Sequence, residues 1–103
     1  KKPARDLELK LPPDPPAELH ASYLPSRSEV HLTWKQLSGD YIYHVYRQKS
    51  TDEEFAWLQS SAWSEANDAF VEPGVRYVYK VKAVDPASYI ESGFSKSVQI
   101  DIP

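Results

Sequence analysis

The 103-residue sequence predicts an all-β protein, seven strands folded into a two-sheet sandwich. Three observations carry this. Apolar side chains recur at every second residue along most of the chain. The segments patterned in this way are rich in β-branched and aromatic residues. Almost no stretch shows the three-to-four spacing of a helix. A chain of this size buries roughly two-thirds of the surface its unfolded form exposes, enough for one core and not two.

At the amino terminus Leu7, Leu9 and Leu11 alternate with Glu8 and Lys10, the mark of a short extended segment. Leu11-Pro12-Pro13-Asp14-Pro15-Pro16 then places four of the nine prolines within five residues. Such a run favours polyproline geometry and lacks the backbone donors a ladder needs. Residues 1–15 are therefore expected to form a semi-rigid linker, and residues 16–103 the domain.

From Ala17 the period is two. Leu19 and Ala21 alternate with Glu18 and His20, and Val30, Leu32 and Trp34 with Glu29, His31, Thr33 and Lys35; these are the first two strands. The turn Ser38-Gly39-Asp40 leads into the third, where Tyr41, Tyr43 and Val45 alternate with Ile42, His44 and Tyr46. Residues 55–59 give a weaker fourth strand and 68–71 a short fifth. Residues 60–67 have the length of a helical turn but are too short and polar to alter the class. After Glu72-Pro73-Gly74, Tyr77, Tyr79, Val81 and Ala83 alternate with Val78, Lys80 and Lys82 in the clearest strand. Val98, Ile100 and Ile102 form one face of the last.

These residues resemble the fibronectin type III family over about 15–103. Pro16-Ala17-Glu18-Leu19-His20-Ala21 is similar to the family's first strand, Val30-His31-Leu32-Thr33-Trp34 to its second with the core Trp, and Tyr43-His44-Val45-Tyr46-Arg47 to its third. The closest likeness is Val71-Glu72-Pro73-Gly74-Val75-Arg76-Tyr77-Val78-Tyr79-Lys80-Val81-Lys82-Ala83-Val84. There the resemblance implies a tyrosine corner at Tyr77, with the ring in the core and the hydroxyl bonded to the preceding turn, whose free carbonyls are the expected partners. Glu91-Ser92-Gly93-Phe94-Ser95 resembles the entry to the last strand. The implied fold is an immunoglobulin-like Greek-key sandwich. Ala66 stands where members often carry an aromatic, and Trp63 or Phe70 is expected to supply that bulk; Val71 replaces the usual Leu. The loop 85–91 has no Arg-Gly-Asp, so integrin binding of the familiar kind is unsupported. Val45-Tyr46-Arg47 and Ala83-Val84-Asp85-Pro86 are most similar to versions in bacterial secreted and surface proteins, which often append such modules to carbohydrate-active enzymes. The resemblance thus implies an extracellular, cell-surface or periplasmic location.

Composition narrows the function classes. Hydrophobic residues make up 41% and charged residues 26%, an ordinary globular balance. No apolar run approaches the roughly 20 residues that span a bilayer. The net charge of -3 comes from 12 basic and 15 acidic residues scattered along the chain, so no basic stripe exists for nucleic acid. Zero Cys removes disulfides, thiolate metal sites and thiol nucleophiles. The chain opens on Lys1-Lys2-Pro3 without an apolar signal region and reads as one monomeric module of a longer polypeptide, with the flanking domains as its first partners.

No catalytic constellation is present: there is no nucleophile elbow, and three Gly cannot make a phosphate-cradling loop. The acids Asp52-Glu53-Glu54 sit on a polar loop without the burial that would make one a general acid. An enzyme is not expected, and neither is a cofactor or metal. His20 and His31 lie on the outward phase of neighbouring strands, close enough in register for their imidazoles to approach. Two nitrogens without a third ligand make a poor zinc site, and His44 belongs to the other sheet. Of the seven Tyr and three Trp, Trp34, Tyr43, Tyr77 and Tyr79 take inward positions. Tyr46, Trp57, Trp63 and Tyr89 remain as a candidate surface patch for a protein or polysaccharide ligand, with Trp57 and Trp63 also placed to cover a sandwich edge. The outer face of the third and sixth strands should bring His44, Tyr46, Lys80 and Lys82 together, which an ordinary wet sheet face also explains.

Overall fold

A computed structural model describes residues 11–103; Leu7, Leu9 and the first ten residues of the expected linker lie outside the described residues. Seven strands follow in order: β1 (His20–Leu24), β2 (Glu29–Thr33), β3 (Ile42–Lys49), β4 (Ala56–Ser61), β5 (Glu65–Asp68), β6 (Arg76–Val84) and β7 (Val98–Asp101). They form two sheets, one of three strands in the order β1-β2-β5 and one of four in the order β4-β3-β6-β7. All pairings are antiparallel. The chain therefore changes sheet between β2 and β3, between β4 and β5, and again between β5 and β6, which is the Greek-key route.

Alternation along each strand makes the core. Val30 and Leu32 from one sheet face Tyr43, Val45, Tyr77, Tyr79, Val81 and Ala83 from the other, all without solvent exposure. Trp34 follows β2 directly and packs edge-on against Tyr43, with ring centroids 5.4 Å apart. Truncating a core aliphatic such as Leu32 to Ala removes both burial and packing, a cost of roughly 2–5 kcal/mol.

The turn from β5 to β6 shows how local chemistry sets register. Val75 N–H donates to Glu72 O at 3.3 Å, Pro73 takes the second position, and Gly74 has φ 78 at the third. That is the residue choice of a type II turn, whose third position needs positive φ. Tyr77 is buried, and its hydroxyl accepts a hydrogen bond from Glu72 N–H at 2.9 Å. The corner forms, but through an amide donor of the turn rather than the carbonyl expected from the sequence.

Several expectations are corrected. The fifth strand lies at Glu65–Asp68, not at 68–71, and residues 60–67 form the end of β4 and most of β5 rather than a helical turn. Phe70 and Val71 attracted the sequence reading by their apolarity; Phe70 is 80% exposed, and Val71 packs on the core after the strand has ended. Neither Trp63, 72% exposed, nor Phe70 supplies the bulk missing at Ala66, which is itself buried opposite Leu32. The first strand starts at His20, two residues after Glu18 at φ 58, and Leu19 and Ala21, two apart, both pack on the core. His31 faces Ser22 while His20 faces Thr33, so the two imidazoles are diagonal neighbours rather than a directly opposed pair.

Before β7 begins, two serines extend the sheet along β6. Ser92 N–H donates to Ala83 O and Ser95 N–H to Val81 O, both at 2.8 Å. Their hydroxyls accept in return from Ala83 N–H at 2.8 Å and Val81 N–H at 3.0 Å. Each serine thus completes a ladder rung with its own side chain, and each hydroxyl proton goes to a carbonyl, Gly93 O or Lys96 O.

Candidate functional site

The four aromatics singled out from sequence do not form one patch. Tyr46 and Trp57 are cross-strand neighbours on the outer face of the four-stranded sheet. Trp63 lies in the β4–β5 connection and Tyr89 in the β6–β7 connection, at the end of the sandwich where β2 leaves for β3. Trp57 is about 13 Å along the strand from the β4 terminus, at roughly 3.3 Å per residue.

The face itself is organised around lysines. Register places His44 opposite Lys82 and Tyr46 opposite Lys80, as their outward phase predicts. Phe94, carried by the Ser92–Ser95 strip, stands edge-on to Tyr46 with centroids 5.0 Å apart. Lys80 Nζ sits 3.9 Å from the Phe94 centroid and 4.0 Å from that of Phe55, and Lys82 Nζ lies 4.3 Å from Phe94 and 5.2 Å from Tyr46. Each such contact is worth about 0.5–1 kcal/mol at an exposed site. Lys82 also bonds Glu91 at 2.8 Å, and this partner holds the Glu91 carboxyl below its ordinary value. The cluster ties the β3–β4 loop, through Phe55, and the strip before β7 onto the sheet. Trp57 stands beside it 56% exposed, with an indole face open to solvent.

A second constellation lies between the sheets. Asp68 of β5 is buried and accepts from Tyr79 OH at 2.6 Å, Arg47 Nη1 at 2.9 Å and Phe70 N–H at 3.0 Å. Arg47 also donates to Phe70 O at 3.2 Å and lies over the Tyr77 ring, 5.1 Å from its centroid. Burial first, and then the hydrogen bond to Asp68, push the Tyr79 hydroxyl well above its ordinary value, so it stays a donor. The carboxylate has its three donors and is fully buried, which suits it to bracing β5 against β3 and β6. Sequence reasoning missed this group because Asp68 was placed at the start of a strand rather than at its buried end; Arg47, a charge on the inward phase of β3 shared with Tyr43 and Val45, was the available signal.

Among the described residues no group of three or more His, Cys, Asp or Glu is arranged to hold a metal. His31 is engaged within its own sheet, with Nδ1 2.6 Å from Asn67 Oδ1 and Nε2 3.7 Å from Glu65. Asp52 accepts from Lys49 N–H at 3.1 Å, a turn-forming contact on the loop where the three adjacent acids lie.

At the end of the sandwich that carries the β2–β3 and β4–β5 loops, a cleft of about 470 Å³ is lined by Gln36, Gly39, Asp40, Tyr41, Ala62 and Trp63. Gly39, at φ 112, lets the Tyr41 ring lie against it: a Cβ there would stand 3.2 Å from that ring. The Trp63 N–H donates to Ser61 Oγ at 3.1 Å, and the single proton of that hydroxyl is shared between Trp63 O at 3.0 Å and Glu65 O at 2.8 Å. Tyr89, in the neighbouring loop, has φ 63 and is 79% exposed. Its conformation is imposed by bonds from Tyr89 N–H to Asp85 O at 2.7 Å and from Asp85 N–H to Ile90 O at 2.9 Å. A larger groove, about 640 Å³, runs between residues 15–19 and 94–97.

Comparison with known proteins places this architecture among solved structures. The chain is similar to an Fn3-like protein from Clostridium thermocellum, with 27% identity, a TM-score of 0.71, and 85% of this chain and 91% of that one covered. It is also similar to the twitchin kinase region from C. elegans, at 17% identity and a TM-score of 0.76 over 90% of this chain but 17% of that one. A beta-1,2-glucanase from Parabacteroides distasonis matches at 23% identity and 0.72, over 86% and 12%. The chain thus spans a small part of those two proteins and nearly the whole of the first. No family model and no curated protein matches the sequence.

Proposed function

Because the chain is a fibronectin type III domain, a kind of unit that recurs within larger proteins, we propose that it acts as a non-catalytic spacer, holding neighbouring parts of an extracellular or surface polypeptide at a fixed separation. The observation that carries this reading is where the chain enters and leaves. Ala17 O accepts from Lys35 N–H at 2.8 Å, which fixes the entry at the end of the sandwich that bears the β2–β3 loop. Ile102 N–H donates to Val75 O at 3.0 Å and Ile102 O accepts from Gly74 N–H at 2.9 Å, which fixes the exit at the opposite end. The distance between is the length of β6, nine residues or about 30 Å. A packed two-sheet core between those points keeps that distance constant under load, and Pro16, buried at the entry, restrains the hinge.

Excising the domain from the polypeptide that carries it should bring the flanking parts closer by about 30 Å in small-angle scattering and leave their own activities in place. Turnover of an ester, peptide or glycosidic substrate by the purified chain would overturn the reading. A second reading, a binding module, is favoured by one observation, the exposure of Trp63 in a concave rather than flat setting.

A further inference from the structure

We infer that the cleft between the β2–β3 and β4–β5 loops is a binding subsite for an uncharged sugar ring, with Trp63 as its stacking wall and Asp40 and Gln36 as its hydroxyl-reading groups. The inference deepens the binding-module reading and is independent of whether the domain also spaces its neighbours. It rests first on size. The cleft, about 470 Å³, lies within the range of small-molecule sites.

Chemistry narrows the class. A pyranose ring presents a face of C–H bonds and an equator of hydroxyls, so it needs an aromatic plane together with paired donors and acceptors. Tyr41 and Trp63 supply the rings, the Gln36 amide supplies a donor and an acceptor, and the Asp40 carboxylate accepts from two hydroxyls. No Lys, Arg or His lines the cleft, so an anionic ligand has no counter-charge there. The lining includes a glycine and an alanine, which leave room for a ring to approach.

Preorganisation is the second support. Trp63 is 72% exposed, yet its N–H is held by Ser61 Oγ at 3.1 Å, and the Ser61 hydroxyl in turn donates to Glu65 O at 2.8 Å. The brace fixes the backbone that carries the indole, so only the two side-chain torsions remain to be ordered when a ring stacks on it. Trp57 has comparable exposure but lies on the sheet face, outside the cleft, and serves as the internal control.

The test uses the 103-residue chain, isotopically labelled, titrated with neutral gluco-, xylo-, manno- and galacto-oligosaccharides up to about 10 mM, enough to approach saturation of a site with a Kd of about 1 mM. At least one series should give saturable amide shifts confined to 36–41 and 61–65. Trp63→Ala should weaken that binding at least about tenfold, while Trp57→Ala leaves it within about twofold. Asp40→Asn, which keeps the shape of the side chain, should weaken it without altering the remaining spectrum. No saturable shift with any series overturns the proposal, as does equal loss in Trp57→Ala. Concentration-dependent self-association lost in Trp63→Ala, without a sugar response, would assign the cleft to protein contact and also overturn it. None of these results bears on the end-to-end distance, so failure here and failure of the spacer reading are distinguishable.

Discussion

Replacing Asp68 by Ala removes a buried carboxylate that three donors on three different segments converge upon. The magnitude follows from what is left behind. The Tyr79 hydroxyl has no route to solvent, and an unsatisfied buried donor costs about 1–3 kcal/mol. Breaking a buried ion pair from one side costs about 3–5 kcal/mol, but the Arg47 side chain is 24% exposed and keeps its bond to Phe70 O, so it recovers part of its hydration. These costs overlap, and the expected total is about 3–4 kcal/mol, a large share of the roughly 5–15 kcal/mol that holds a domain together. In melting temperature this is a fall of roughly 12–30 °C. Asp68→Asn keeps an acceptor for Tyr79 and Phe70 and should cost about half as much. Urea unfolding of the single variants and of the pair Arg47→Met with Asp68→Asn gives the coupling directly, expected at about 1–3 kcal/mol. Replacing Arg47, Asp68 and Tyr79 together by Met, Leu and Phe should restore most of the loss, because no charge is then stranded. A cost below about 1 kcal/mol for Asp68→Ala, or a coupling indistinguishable from zero, would refute the bracing role.

Tyr77→Phe removes the acceptor for Glu72 N–H while keeping the ring; a loss of about 1 kcal/mol in chemical unfolding is expected, because the exposed turn lets water replace part of the bond. Ser92→Ala and Ser95→Ala strand the buried amides of Ala83 and Val81, and each should cost about 1–3 kcal/mol and raise hydrogen exchange at that amide first. Glu91 should titrate by NMR below the ordinary 4.5, and Lys82→Ala should return it upward. Since the folded-state value is the lower one, the Lys82 contact stabilises fully above the ordinary carboxylate range and is lost as pH falls through the depressed value.

Most of the sandwich was legible because alternation is a direct consequence of burying one face of a strand. β3 and β6 show this best: Tyr43, Val45, Tyr77, Tyr79 and Val81 are all fully buried, and the outward pairing of His44 with Lys82 follows from the same phase. β5 was misplaced because its signal runs against hydrophobicity. Its inward residues are Ala66 and Asp68, one small and one charged, whereas the apolar Phe70 beyond it faces solvent. Asp68 is inside only because Arg47 and Tyr79, from two other strands, meet it there, and a pattern within one segment carries no record of such partners. The Ser92–Ser95 strip was hidden for a related reason, since a serine hydroxyl standing in for a ladder carbonyl has no periodicity. At the candidate site, sequence identified Trp63 as an exposed aromatic but grouped it with Tyr46 and Trp57, because only the register separates the loop end from the sheet face.

The central claim, that the domain sets a fixed distance by passing the chain from one end of a rigid sandwich to the other, is tested most directly by a pair of spin labels. The sequence contains no Cys, so Ala17→Cys and Pro103→Cys are the only attachment points. A single narrow distance distribution centred near 30 Å, unchanged when the chain is flanked by neighbours, is the predicted result. A broad distribution, or one centred below about 15 Å, would place entry and exit together and contradict the account.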